Sequence, residues 1–227
     1  MQLYIANKNY SSWSMRPWVM LKNAGIAFDE VVARFDSFEP GSQFKKTITS
    51  VNPTGRVPCL VDDGLVVWDT LAIAEYAAEK YPGKKLWPQD VAQRARARSI
   101  CAEMHSGFSA LRSHCPMNIE ASLGDIGTLA LRDKPAVRAD VARIEAMWVE
   151  LLSQHGGPYL FGTQFSIADA YFAPVCMRFK TYALSQRADI NAYVERIRTA
   201  PGVAAWIAAA LVENDFRDFE EPYRLKR

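Results

Sequence analysis

The sequence predicts an α/β N-terminal domain followed by an all-α C-terminal domain. Three observations carry this expectation. Residues 3–33 read strand, helix, strand. Residues 52–81 place two short apolar runs around an Asp-Gly turn and then switch to helical spacing. Beyond a stretch rich in proline, glycine and charge, every apolar pattern has the helical period. The expected boundaries are 1–82 for the α/β domain, 83–90 for a linker and 91–227 for the helical domain.

Leu3-Tyr4-Ile5-Ala6 is a short strand run, followed by the polar loop Asn7 to Ser14. Met15 to Ala24 reads as a helix. Arg16-Pro17 falls near its start, where proline is tolerated, and Gly25 closes it. Phe28 to Ala33 alternates loosely as a second strand. Phe35 to Val51 is polar and irregular, punctuated by Pro40-Gly41. Cys59-Leu60-Val61 and Leu65 to Trp68, joined through Asp62-Asp63-Gly64, read as a β-hairpin. Asp69-Thr70 then opens a helix carrying Leu71, Ile73, Ala74, Ala77 and Ala78, which Pro82-Gly83 ends.

In the second half, Gln93 to Leu111 reads as one long helix and Pro116 to Lys134 is weakly patterned. Ala136 to His155 forms a helix with Val137, Val141, Ile144, Met147, Trp148, Leu151 and Leu152 on one face. Ser166-Ile-Ala-Asp169 has the form of a capping box ahead of the helix through Phe179, with Asp in place of the usual Glu. Ile190 to Thr199 and Val203 to Leu211 complete the helices.

Composition narrows the function classes. The chain has 227 residues, 49% hydrophobic and 23% charged, with net charge +2. That balance makes no electrostatic case for nucleic acid or membrane binding. RARARS (94–99) is a helix face without interleaved aromatics. No run approaches the ~20 apolar residues of a membrane-spanning helix, and MQLYIANKNY lacks signal-peptide organisation. Cys59, Cys101, Cys115 and Cys176 form no CxxC pair, and the three histidines form no metal-ligand spacing. No metal is expected. Scattered cysteines in a chain this long fit reduced, buried thiols and a cytoplasmic protein.

Three features suggest chemistry. In Val57-Pro58, Val57 is held extended. A cis bond there would offer its N–H and C=O to an extended peptide. Asp69-Thr70 stands at a helix start, where free amides and the dipole suit a carboxylate. The Asp69 carboxylate could hold an ammonium, so the pair could take an α-amino-acid head group. An ordinary N-cap is the plainer reading of the same residues. Tyr10-Ser11-Ser12-Trp13-Ser14 puts hydroxyls before another helix. They cap it, or one donates to a bound thiolate and lowers its pKa, each unit being worth about 1.4 kcal/mol.

These motifs, in this order and spacing, resemble the glutathione transferase superfamily over nearly the whole chain. The resemblance implies a thioredoxin-like N-terminal domain, with Val57-Pro58 holding the cysteinyl backbone of glutathione. It also implies that Asp69-Thr70, eleven positions after Pro58, holds the γ-glutamyl group. SSWSMR resembles the SSxSxR motif of zeta-class and related serine-type bacterial transferases. It points to Ser11 as the catalytic serine, with Ser12 the near alternative and Ser14 third. Trp13 stands where the zeta pattern has cysteine, which counts against zeta-type isomerisation. No cysteine lies in this loop to act as a nucleophile. Arg16 is either a helix-surface charge or a group near the anion. Gln43, Lys45 and Lys46 are candidates for the glycyl carboxylate, a solvated surface lysine being the plainer reading, and Arg56 is a further backbone or side-chain contact candidate. Met104, His105, Phe108, Arg112 and Tyr171 are either cleft or core.

The implied activity is that of a cytoplasmic homodimeric enzyme that activates the thiolate of glutathione, its co-substrate, for attack on a small electrophile. The alternatives are glutathione-dependent isomerisation, peroxide reduction or dehalogenation, and a non-catalytic binding module of the same fold.

Overall fold

Leu3 and Ile5 sit in the first strand, β1 (Gln2–Ile5), and both are fully buried. Their neighbours in space are built from three more four-residue strands, β2 (Asp29–Val32), β3 (Cys59–Asp62) and β4 (Leu65–Trp68). The sheet order is β2-β1-β3-β4. β1 runs parallel to β2 and antiparallel to β3, and β3 pairs antiparallel with β4. The parallel pair requires a crossover, which α1 (Ser12–Asn23) supplies; the antiparallel pair needs only the turn at Asp63-Gly64. The computed structural model describes the whole chain, Met1–Arg227.

Helix α1 starts three residues earlier than its apolar pattern predicts, because Ser11 caps it. Pro17 therefore lies in the second turn. Two helices flank the hairpin: α2 (Gln43–Thr49) and α3 (Thr70–Lys80). α2 corrects the expectation of an irregular 35–51 stretch. It is seven residues long, capped by Ser42, and buries only Phe44 and Ile48. Two buried positions give too little periodicity to read. Phe44 packs edge-on to Phe35, closing a small core of its own under the sheet.

The helical domain comprises α4 (Val91–Ser106), α5 (Ser109–His114), α6 (Gly124–Asp133), α7 (Pro135–His155), α8 (Ile167–Tyr182), α9 (Ala188–Thr199) and α10 (Pro201–Val212). The long helix expected from 93 to 111 is broken. Gly107 and Phe108 separate α4 from α5, and Phe108 adopts a left-handed φ of 56°. The pattern hides the break because Met104, Phe108 and Leu111 stay buried through it. Helix α6 lies in the weakly patterned stretch and packs on α8. Gly127 makes this approach possible: a Cβ there would lie 1.7 Å from the Tyr182 carbonyl oxygen.

Helix α8 is the axis of the molecule, with fifteen of its sixteen residues buried. Its start is the expected capping box. The Asp169 carboxylate is fully buried and accepts from the Ser166 N–H (2.9 Å), the Leu160 N–H (3.1 Å) and the Tyr193 hydroxyl (3.1 Å). Helices α8 and α10 both pack against α1, so the two domains share one large core. All four cysteines are free and buried. No helix is long and apolar enough to cross a membrane.

Candidate functional site

The loop that carries the serines is held from the helical domain. The Trp206 indole N–H donates to the Lys8 carbonyl (3.0 Å), and Glu213 accepts from the Lys8 N–H (2.7 Å). The Tyr10 hydroxyl donates to Glu221 (2.7 Å) in the C-terminal tail. Burial and that carboxylate push the Tyr10 phenol up to about 12, so it stays a donor. Ser11 then starts α1.

The two leading serines are placed differently. Ser11 is 6% exposed. Its hydroxyl donates to Ser14 Oγ (2.8 Å) and accepts from the Ser14 N–H (3.4 Å). Ser14 Oγ in turn accepts from the Ala6 N–H (3.1 Å). The Ser11 proton is thus engaged within the cap. The Ser12 hydroxyl accepts from Arg178 Nη2 (3.4 Å), which leaves its own proton unengaged.

Two adjoining cavities lie along the domain boundary. The larger, about 660 Å³, is lined by Tyr10, Ser11, Ser12 and Trp13 from the loop. Phe38, Lys45, Arg56 and Val57 line its N-terminal-domain side, and Arg112, Met117 and Arg178 its helical side. The smaller, about 440 Å³, contains Asn52, Thr54, Pro58, Trp68, Asp69, Thr70 and His105. Trp13, Arg56, Val57 and Arg112 border both.

Of the residues singled out in the sequence for the tripeptide, Lys45, Arg56, Val57, Pro58, Asp69 and Thr70 border these cavities, whereas Gln43 and Lys46 do not. The Val57-Pro58 bond is cis. Neither the N–H nor the carbonyl of Val57 has a hydrogen-bond partner. The loop before it is shaped by buried Asn52, whose side chain donates to the Arg56 carbonyl (2.8 Å) and accepts from the Thr54 N–H (3.1 Å). Lys45 donates to the Gly55 carbonyl (2.9 Å), while Arg56 is exposed at the mouth.

Asp69 is both a cap and a candidate ligand group. Its Oδ1 accepts from the Leu71 N–H (2.9 Å), and its Oδ2 lies 3.3 Å from His105 Nε2. Its φ of 70° is unusual for a residue with a Cβ, and such strain collects at functional positions. Burial lowers the His105 pKa against the opposing pull of Asp69. Thr70 is 1% exposed, and its Oγ1 accepts from the Tyr171 hydroxyl at 2.7 Å. The Thr70 N–H is free at the helix start.

Other functional neighbours were not assigned from the sequence. Met104, Phe108 and Tyr171 are buried in the core, whereas His105 and Arg112 line the cleft. Arg178 comes from the middle of α8, and no local signal marks it. Arg16 is no surface charge: it is 3% exposed, with its guanidinium carbon 4.3 Å from the Trp13 ring centre and 4.8 Å from that of Tyr171. No cluster of potential metal ligands is present.

Comparison with known proteins gives a consistent result. Residues 10–80 match the family model of the glutathione S-transferase N-terminal domain, and residues 92–209 that of the C-terminal domain. A probable maleylacetoacetate isomerase of Caenorhabditis elegans is 31% identical, over 91% of this chain and 91% of that protein. Glutathione S-transferase 1 of Dianthus caryophyllus is 31% identical over 77% of this chain and 75% of its own length. Among solved structures, a glutathione transferase homologue from Burkholderia gl BGR1 with bound glutathione superposes with a TM-score of 0.68 at 25% identity. The match covers 92% of this chain and 97% of that one.

Proposed function

Because the chain belongs to the glutathione S-transferase family, we propose that it binds glutathione along the smaller cavity and activates its thiol for attack on a small electrophile. One observation carries the reading. The unpaired backbone of Val57, the Asp69 carboxylate and the free Thr70 N–H border one cavity, and that cavity shares Trp13, Arg56, Val57 and Arg112 with the larger one, which Ser12 lines. The cysteinyl backbone pairs with Val57 as an added strand. The γ-glutamyl carboxylate takes the Thr70 N–H and the α3 dipole, and its ammonium takes Asp69 Oδ2. Lys45 and Arg56 receive the glycyl carboxylate. The bound structure of the Burkholderia homologue supports the tripeptide as ligand.

The loop supports a serine-type class. Ser12 donates to the sulfur, since its proton is unengaged while that of Ser11 is used in the cap. The thiol proton leaves to water, the sulfur forms the new bond to carbon, and the electrophile releases its leaving group or takes a proton at the adjacent carbon. Catalysis rests on positioning and on stabilising one anion.

A second reading is glutathione-dependent isomerisation, in which glutathione is regenerated. It is supported by the Caenorhabditis elegans relative, a probable maleylacetoacetate isomerase. Trp13, in place of the cysteine of that motif, weighs toward conjugation. The homodimer and the cytoplasm are part of the proposal, supported by exposed Leu65 on the edge strand β4 and by four unpaired buried cysteines.

The test is calorimetric titration of glutathione near neutral pH in two buffers of different ionisation enthalpy. Binding with proton release is expected. Binding without release makes the protein a holder of glutathione, and no binding at millimolar ligand overturns the proposal.

A further inference from the structure

The residues that lead into the serines, Asn7, Lys8, Asn9 and Tyr10, are all buried, although the first three carry polar or charged side chains. Buried polar groups need hydrogen-bond partners. Each of these residues finds one in the same segment, residues 213–221, which follows α10. Asp215 accepts from the Asn7 side chain (2.6 Å). Glu213 accepts from the Lys8 N–H (2.7 Å) and the Asn9 N–H (3.3 Å). Glu221 accepts from the Tyr10 hydroxyl (2.7 Å), which in turn accepts from the Arg217 N–H (3.2 Å). Three carboxylates of the tail thus hold four consecutive residues of the loop.

The hold reaches the serines through the backbone. The Ser11 N–H donates to the Asn7 carbonyl (2.9 Å) and the Ser12 N–H to the Tyr10 carbonyl (2.9 Å). A shift of Tyr10 therefore carries the start of α1 with it. The same tail also reaches the larger cavity. Glu220 lines it, and Phe219 packs edge-on to Phe38, another lining residue, with ring centres 5.4 Å apart.

Glu221 does more than anchor the tail. Its side chain is 1% exposed. It accepts from Arg224 Nε (2.8 Å) and from the Asn118 amide (2.9 Å to each oxygen). Asn118 in turn accepts from the Asn9 side chain (3.0 Å), which closes the network on the loop. Burial works against the charge of Glu221, but the donors from Arg224 and Tyr10 outweigh it and hold the carboxyl below its ordinary pKa. A carboxylate serving the tail alone would be satisfied by Arg224 and Asn118. The bond to Tyr10 adds a partner from the N-terminal domain, and a hydrogen bond to an ionised acceptor is stronger than a neutral one.

We propose that Glu221 is the positioning residue of the serine loop: through Tyr10 it fixes the serine hydroxyl that meets the glutathione sulfur. The C-terminal segment is then part of the machinery that activates the thiol. The role toward the sulfur rests on the glutathione reading of the site; the hold on the loop does not. A donor stabilises a developing anion only while it is held in place. The tail supplies that hold from outside the N-terminal domain.

The test uses the full-length protein and Tyr10→Phe, which removes the hydroxyl while leaving Glu221 paired with Arg224 and Asn118. Three quantities are measured: the pKa of bound glutathione by ultraviolet titration, the affinity for S-methylglutathione, and amide hydrogen exchange over residues 8–14. Tyr10→Phe is expected to raise the bound-thiol pKa by about 0.5–1 unit. It should keep S-methylglutathione affinity within about twofold and speed exchange in the loop by about tenfold or more. Glu221→Ala should shift the thiol equally, and the double variant no further, since both remove one bond. Glu221→Gln, which can still accept from Tyr10, should recover most of the shift. An unchanged bound-thiol pKa in Tyr10→Phe, a matching loss of S-methylglutathione affinity, or additive shifts in the double variant would each overturn the proposal. If neither glutathione nor S-methylglutathione binds the wild type, the glutathione reading falls and exchange alone decides. Faster loop exchange in Tyr10→Phe then keeps the hold on the loop, and unchanged exchange removes it.

Discussion

The Tyr171 hydroxyl donates a 2.7 Å hydrogen bond to Thr70 Oγ1 in the buried seam between the domains. Tyr171 is on α8, the axis of the helical domain; Thr70 opens the helix to which the γ-glutamyl group is assigned. The bond occupies the acceptor side of the Thr70 hydroxyl and aims its proton elsewhere. Tyr171→Phe leaves Thr70 buried without that partner. The expected cost is about 1–2 kcal/mol of stability, with glutathione affinity reduced several-fold. Urea denaturation and calorimetric titration read the two effects. Unchanged affinity would separate the seam from the ligand site.

The two serines are expected to fail in different ways. Ser12→Ala removes the donor proposed for the sulfur. It should raise the pKa of the bound thiol by about 1–2 units and lower turnover accordingly, with little change in glutathione affinity. Ser11→Ala removes the α1 cap and should cost about 1 kcal/mol of stability while the bound thiol ionises as before. Ultraviolet titration of the thiolate in the complex distinguishes them. Full thiolate formation in Ser12→Ala would return the catalytic role to Ser11 or Ser14.

At Asp169 the expectation is structural. Its carboxylate accepts from Leu160, Ser166 and Tyr193 with no exposure at all. Asp169→Ala strands those donors at the start of the central helix and should destabilise the protein by about 3 kcal/mol or more. The glutathione affinity of the molecules that remain folded should be unchanged. A denaturation midpoint close to that of the wild type would remove the capping box from the folding argument.

How much of this was legible in the sequence depended on how local each signal was. Val57-Pro58, the hairpin and Asp69-Thr70 lie within 13 consecutive positions, 57–69, and the one after, so spacing alone brought them to one cavity. The Ser166–Asp169 box is likewise a four-residue pattern. Helix α2 was missed because it buries only two side chains. The break at Gly107-Phe108 was missed because apolar spacing continues across it. Arg178 and Arg16 are the clearest failures. Arg178 looks like any polar residue on a helix, and only packing of α8 against α1 brings it to Ser12. Arg16 is adjacent to the serine motif, yet its burial depends on Tyr171, which is remote in sequence.

The last expectation concerns pH. Glu220 lines the larger cavity, and burial, reinforced by neighbouring Glu221, raises its carboxyl to about 7. A raised folded pKa means that the native state holds this proton more firmly than the unfolded chain. The associated stability is fully present below the ordinary carboxyl value of about 4.5 and is lost as pH rises through about 7, since the unfolded state then binds fewer protons. Ionisation also adds a negative charge to the wall of the larger cavity. Thermal midpoints measured from pH 5 to pH 8 should therefore contain a decline that Glu220→Gln removes. Parallel pH profiles for the two proteins would show that Glu220 does not titrate in this window.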